Sequence, residues 1–197
     1  MIRIGILGDI GSGKSFIAKN FGFPVFNADQ EVNKLYTQNR KVFFKLRKKL
    51  PNYFTHYPIK KDQVIKAILS NKGNLKEILK IIHPEVKNKM NFFIKKNKSK
   101  NFIVLDIPLL LENKINKKKD ILIFVESNKK EIFKRLRKRE RFNLKLYKNF
   151  KRIQLSLDFK KKKSHFIIKN NFLKKSVKIQ IKKILKKIKN EGNNFRY

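Results

Sequence analysis

Short unbroken apolar runs alternate along this chain with longer segments whose apolar residues recur every three or four positions. The runs are Ile2 to Leu7, Val25 to Asp29, Phe102 to Asp106, Ile121 to Val125 and Phe166 to Ile168. They lack the strict apolar-polar alternation of half-exposed strands, so together they predict a parallel sheet covered on both faces. Helical spacing predicts helices over 15–21, 30–50 (Val32, Leu35, Tyr36, Val42, Phe43, Leu46), 62–70, 75–82 and 128–138. A further helix is expected to begin at His83-Pro84, because proline is well tolerated in a first turn. Residues 173–189 predict an amphipathic helix with Val177, Ile181, Ile184, Leu185 and Ile188 on its core side. Breaks are expected at Gly22-Phe23-Pro24, across the aromatic-rich stretch from Pro51 to Pro58, and at Asn170-Asn171.

Strands alternating with helices make the class α/β. The block 30–99 shows no strand and reads as a helical insertion. Residues 140–163 are charged, mostly helical and without a strong apolar stripe, so this segment is expected to be poorly buried and free to move. The core is then 1–29 with 100–138 and 163–190, and 191–197 are expected to fray. At 197 residues the chain has room for one sizeable core with inserted subdomains.

Charge changes this picture less than its size suggests. There are 52 Lys+Arg against 14 Asp+Glu, a net +38. Alone, that excess points to nucleic acid or an anionic membrane surface. The lysines are spread through nearly every segment, together with abundant Asn, Ile and Phe, as A+T-rich coding produces. The charge therefore reads as compositional and nucleic acid as not required, with a polyanion partner or steering of anionic substrates as the other uses for it. The chain has no cysteine, which removes disulfides, thiolate nucleophiles and cysteine metal sites. No apolar run approaches the roughly 20 residues of a membrane span, and the first strand begins at once, so no membrane partner is expected and the location is expected to be cytoplasmic.

Candidate chemistry begins at Gly8-Asp9-Ile10-Gly11-Ser12-Gly13-Lys14-Ser15, between the first strand and the first helix. This is the G-x-x-x-x-G-K-[ST] order of a P-loop. Glycines let backbone N–H groups turn around phosphate oxygens, lysine reaches the β- and γ-phosphates, and the hydroxyl ligates Mg²⁺. Ile10, Gly11, Ser12, Gly13, Lys14 and Ser15 are thus the expected ATP contacts. GTPases, ATPase modules or motors, and small-molecule kinases share this loop. An N-K-x-D base signal and a D-x-x-G switch signal are both missing, which argues against a GTPase, and the chain is short for a motor core.

A kinase must position two substrates, neutralise the transferring phosphoryl and accept a hydroxyl proton. In an open parallel sheet, ligands lie beyond the carboxyl ends of the strands. Asp29 and Asp106 close two of the apolar runs there. Asp29 is the expected general base; Asp106 either orients Mg²⁺ through water or caps the following turn. Arg139 is either a solvated helix residue or an arginine that closes over ATP.

These segments, with Asn27-Ala28-Asp29, His83-Pro84, Pro108-Leu109-Leu110-Leu111-Glu112-Asn113, and Gln154 followed by Ser156 and Lys160, resemble the dephospho-CoA kinase family from residue 3 to about residue 171. The resemblance implies transfer of the ATP γ-phosphate to the ribose 3′-hydroxyl of dephospho-CoA. It also implies a P-loop kinase fold with sheet order 2-3-1-4-5, the 30–99 insertion as acceptor-binding domain, and 139–162 as lid. On this resemblance Asp29 is the catalytic base and Arg139 the lid arginine on ATP. His83, Pro108, Leu109 and Glu112 lie on the acceptor side; for His83, a structural hydrogen bond at a helix start is the other reading. The chain departs from the family pattern at Asn27, where an aspartate is usual, at Arg139-Glu140-Arg141-Phe142-Asn143, which lacks a hydroxyl residue, and at His165 and Lys169 in place of acidic residues. A different P-loop kinase would share loop and base, and an RNA-associated protein would share the charge.

Overall fold

Strand β1 (Ile2–Gly8) is buried from Arg3 onward, as expected of a central strand. The computed structural model describes residues 1–140 and 142–191, without the side chains of Lys72 and Glu191. Arg141 and all but the first residue of the expected frayed end lie outside the described residues. After β1 come α1 (Lys14–Asn20), β2 (Val25–Asn27), α2 (Ala28–Gln38), α3 (Arg40–Lys49), α4 (Lys61–Ser70), α5 (Lys72–Lys96), β3 (Phe102–Asp106), β4 (Ile121–Glu126), α6 (Lys129–Arg137), α7 (Leu144–Arg152), α8 (Leu157–Lys162), β5 (Phe166–Lys169) and α9 (Lys174–Glu191). The described residues divide into two compact units. One contains Met1–Asn27, Asn97–Phe142 and the chain from Ile153; the other contains Ala28–Lys96 and Asn143–Arg152.

In the first unit the strands form one parallel sheet in the order β2-β3-β1-β4-β5, as expected. Parallel pairing brings the carboxyl ends to one edge: Asn27 is in register with Asp106, Gly8 with Val125, and Glu126 with Lys169. One sheet face supplies Ile4, Ile6, Val104, Ile123 and Val125 to a core closed by Ile17 and Ala18 of α1 and by Val177, Ile181, Ile184 and Ile188 of α9. Each of the valine and isoleucine side chains contributes about 1.5–3 kcal/mol when fully buried. On the other face Gly5 admits Leu110, whose Cδ2 lies 2.6 Å from where a Cβ would stand. Arg3 is paired at 2.7 Å with Asp120, the residue before β4, and both are buried. Burial raises the Asp120 pKa. The pair therefore holds the loop before β4 against β1.

The second unit is helical. Leu35 of α2, Val42, Phe43 and Leu46 of α3, and Ala67 and Ile68 of α4 are buried with Leu75, Ile78, Ile82, Val86 and Met90 of α5. The expected helix over 30–50 is broken in two at Asn39, whose Oδ1 accepts the Val42 N–H at 3.1 Å and starts α3 as its N-cap.

Three further expectations are corrected. No second helix begins at His83-Pro84; α5 runs through Pro84 without a stop. An internal proline costs about 3 kcal/mol, which the buried stripe from Leu75 to Met90 offsets. The second strand stops at Asn27, so Asp29 is not a strand-end residue but sits in the first turn of α2 beside Glu31, where acidic side chains suit the helix dipole. The charged segment after α6 is not uniformly poorly buried, because Lys160 of α8 is 1% exposed.

His165, just before β5, carries a pH prediction. Burial lowers its pKa below the ordinary 6.5. Its Nδ1 accepts the Leu122 N–H at 2.9 Å, which a protonated nitrogen could not do. The folded state therefore binds fewer protons than the unfolded chain below about pH 6.5, so stability rises with pH there and is lost on acidification. Thermal melting should fall in midpoint between about pH 7.5 and about pH 5, and His165→Asn, which retains an acceptor, should flatten part of that slope. An unchanged slope in the variant would contradict the assignment.

Candidate active site

The loop from Gly8 to Lys14 is ordered largely by its own backbone. Asp9 begins the turn: its Oδ1 accepts the Ile10 N–H at 2.7 Å and its carbonyl accepts the Ser12 N–H at 3.2 Å. Gly11 and Gly13 have φ of 82° and 90°, a region that side chains with a Cβ rarely adopt. At Gly13 the absence of a Cβ also admits Asn170, whose Nδ2 would lie 2.4 Å from that atom. The Gly13 carbonyl accepts the Ile17 N–H, so α1 starts immediately. Lys14 folds back over the loop, its Nζ donating to Asp9 O at 2.7 Å and Gly8 O at 3.3 Å. The ammonium is therefore held by the carbonyls that open the loop, ahead of Ile10, Gly11, Ser12 and Gly13 in the chain.

Asp106 ends β3, only 3% exposed. Its Oδ2 accepts from Asn27 Nδ2 at 2.5 Å, and the same amide lies 3.5 Å from Ser15 Oγ. Asn27 thus links the loop hydroxyl to the buried carboxylate. An amide suits this position, because an aspartate would set a second negative charge against Asp106. Sequence reasoning noted Asn27 only as a departure; the register of β2 on β3 gives it this role.

After Asp106, Pro108 and Leu109 are half-buried in a tight turn in which the Asn113 N–H bonds to Leu109 O. Glu112 closes it. Its Oε1 pairs with Lys160 Nζ at 2.7 Å and accepts the Leu155 N–H at 3.0 Å. Ser156, between these partners, caps α8 by accepting the Phe159 N–H at 3.2 Å. The spacing of Ser156 and Lys160 therefore has a physical basis: a cap and an ammonium that fasten the start of α8 to the turn after β3. Sequence reasoning missed that Glu112 and Lys160 are partners.

Arg139 follows α6 and is exposed, its N–H on Leu136 O at 3.0 Å. Within the first unit, then, the fold brings Lys14, Ser15, Asn27 and Asp106 to the carboxyl edge of the sheet. Asp29 and His83 belong to the helical unit. Asp29 follows Asn27 by two residues; His83 is half-buried in the middle of α5, where burial lowers its pKa.

Comparison with known proteins identifies the family and the fold. A family model for dephospho-CoA kinase matches residues 2–175. A dephospho-CoA kinase of Wolbachia pipientis wMel is 34% identical over 191 residues, covering 92% of this chain and 95% of its own. Among solved structures, one from Thermus thermophilus superposes with a TM-score of 0.75 at 23% identity, covering 95% of this chain and 97% of that one. A dephospho-CoA kinase from Campylobacter jejuni superposes at 0.62 and 22% identity, with 94% and 96% covered. At these identities the two structures speak to the fold alone. The match across residues 2–175 and the close relative show that the chain belongs to the dephospho-CoA kinase family.

Proposed function

We propose that the loop residues, Asp106 and Asp29 divide a single phosphoryl transfer among them. The reaction follows from family membership: the chain is an ATP-dependent dephospho-CoA kinase, moving the γ-phosphate of ATP to the 3′-hydroxyl of dephospho-CoA. In our reading Lys14 and the N–H groups of residues 10–15 hold the β- and γ-phosphates. Asp29 accepts the proton of the attacking hydroxyl, and Arg139 covers ATP from the 139–162 segment acting as lid. His83 and the Pro108–Glu112 turn serve the acceptor.

Mg²⁺ fits the residues present. Ser15 Oγ and the Asp106 carboxylate are hard oxygen donors bridged by one amide. Mg²⁺ is usually held by substrate phosphates and waters with one or two protein groups rather than by a carboxylate cage. Among the described residues no group of three or more His, Cys, Asp or Glu forms such a cage. When bound, the ion supplies positive charge to the transferring phosphoryl. Ser15 and Asp106, the latter through water, would hold it. No helix among the described residues is long and apolar enough to cross a membrane; we place the enzyme in the cytoplasm, working on small soluble substrates.

The observation that carries this division of roles is the contact of Asn27 with both Ser15 and Asp106, since Asp29 is only two residues further along the chain. The choice of acceptor is tested by competition: the protein with ATP, Mg²⁺ and equal concentrations of dephospho-CoA, a nucleoside monophosphate and shikimate, the products read by mass spectrometry. Dephospho-CoA should be phosphorylated in preference to both others. Preferential phosphorylation of either would overturn the reading.

A further inference from the structure

We propose that Ser127 and Asn170 are positioning residues for the nucleotide phosphates, acting together through the backbone carbonyl of Ser12. The inference rests on the reading of Gly8–Ser15 as the phosphate loop. Ser12 is fully buried, and its carbonyl accepts two side-chain donors, Ser127 Oγ at 2.8 Å and Asn170 Nδ2 at 2.8 Å. Both come from strand tips. Ser127 follows Glu126, the last residue of β4, and Asn170 follows Lys169, the last residue of β5. Glu126 and Lys169 are in register, so the sheet delivers the two donors side by side.

A trans peptide holds its C=O and N–H in opposite directions. Fixing the Ser12 carbonyl toward the tips of β4 and β5 therefore fixes the Gly13 N–H away from them. A phosphate loop depends on that direction, because a carbonyl turned the other way would present a negative dipole to an anion. Within the loop the Ser12 N–H is held by Asp9 O at 3.2 Å, but the partners of the Ser12 carbonyl lie outside the loop, and Gly11 and Gly13, the two glycines flanking Ser12, adopt many conformations at little cost. The restraint on the carbonyl comes from Ser127 and Asn170.

Asn170 is itself held so that only its donor end can face Ser12. Its own N–H donates to Glu126 O at 2.7 Å, and its Oδ1 accepts the Phe172 N–H at 2.9 Å. Turning the amide over would set Nδ2 against that N–H and Oδ1 against the Ser12 carbonyl, two repulsive contacts in place of two hydrogen bonds. Phe172 stands at φ 63° with the Arg135 guanidinium 4.1 Å above its ring. The turn that orients Asn170 is thereby fastened to α6.

The test compares Ser127→Ala, Asn170→Ala, the double variant and Ser127→Thr, measuring ADP affinity by calorimetry, KM for each substrate, and melting. Each alanine should weaken ADP binding by about fivefold, the scale of one lost hydrogen bond, and the double variant by more than the product of the singles, because either donor alone still orients the carbonyl. Ser127→Thr, which keeps the hydroxyl, should restore affinity, and KM for dephospho-CoA should stay within about twofold. A purely structural role would lower the melting midpoint while leaving ADP affinity alone. That outcome, or equal losses for both substrates, would overturn the proposal; if the double variant does not fold, the singles decide by the same criterion. Lys14→Ala serves as the control: were it also to leave ADP binding unchanged, the phosphate-loop reading itself would be at fault.

Discussion

Lys14→Ala should lower kcat/KM for ATP by about 10²–10³, or about 2.7–4 kcal/mol of transition-state stabilisation, the scale of removing one preorganised charge-stabilising group. In the proposed reading the loop N–H groups hold phosphate in the ground state as well. The lysine differs in carrying a full charge, in a site where the reaction spreads negative charge over the transferring phosphoryl. In the structure its Nζ rests on Asp9 O and Gly8 O, so it is held at the mouth of the loop in advance. Lys14→Arg should not restore the rate, because a planar fork cannot take the place of a compact ammonium against the same two carbonyls. Steady-state rates at saturating dephospho-CoA decide the matter. Values for Lys14→Ala within about threefold of the parent would contradict the role.

Much of the sheet could be read from the sequence because a strand buried on both faces leaves a local mark. Ile121–Glu126 and Phe102–Asp106 are apolar in nearly every position and became β4 and β3 within a residue of their expected ends. Boundaries set by a single side chain were harder. Asn39 splits one expected helix into α2 and α3 through a cap that resembles any other asparagine in an asparagine-rich chain. At Pro84 the local rule favoured a new helix, whereas the buried stripe on α5, formed with residues far away in sequence, kept the old one intact.

The candidate site divides in the same way. Gly8 to Ser15 was legible because phosphate chemistry imposes residue types at fixed spacing. The pairing of Glu112 with Lys160 was not, since 48 positions separate them and only the completed fold brings an ammonium to that carboxylate. Asn27 was visible as a residue, but its contact with Asp106 needed the register of β2 on β3. Ser127 and Asn170 lie just past strand ends, where sequence alone suggests nothing beyond turn formation.

Asp29 carries the heaviest mechanistic claim, and Asp29→Asn removes its basicity while keeping its shape in the first turn of α2. General bases typically contribute 10²–10⁴ in rate. The variant should bind ATP with affinity within about twofold of the parent, because its phosphate contacts are untouched, yet transfer the phosphoryl group at least about 10²-fold more slowly. A single-turnover experiment separates these quantities, with enzyme and ATP premixed and dephospho-CoA added in a rapid-quench instrument. Intact ATP binding with a transfer rate reduced by about two orders of magnitude or more is the expected result; a rate close to the parent's would remove Asp29 from the reaction.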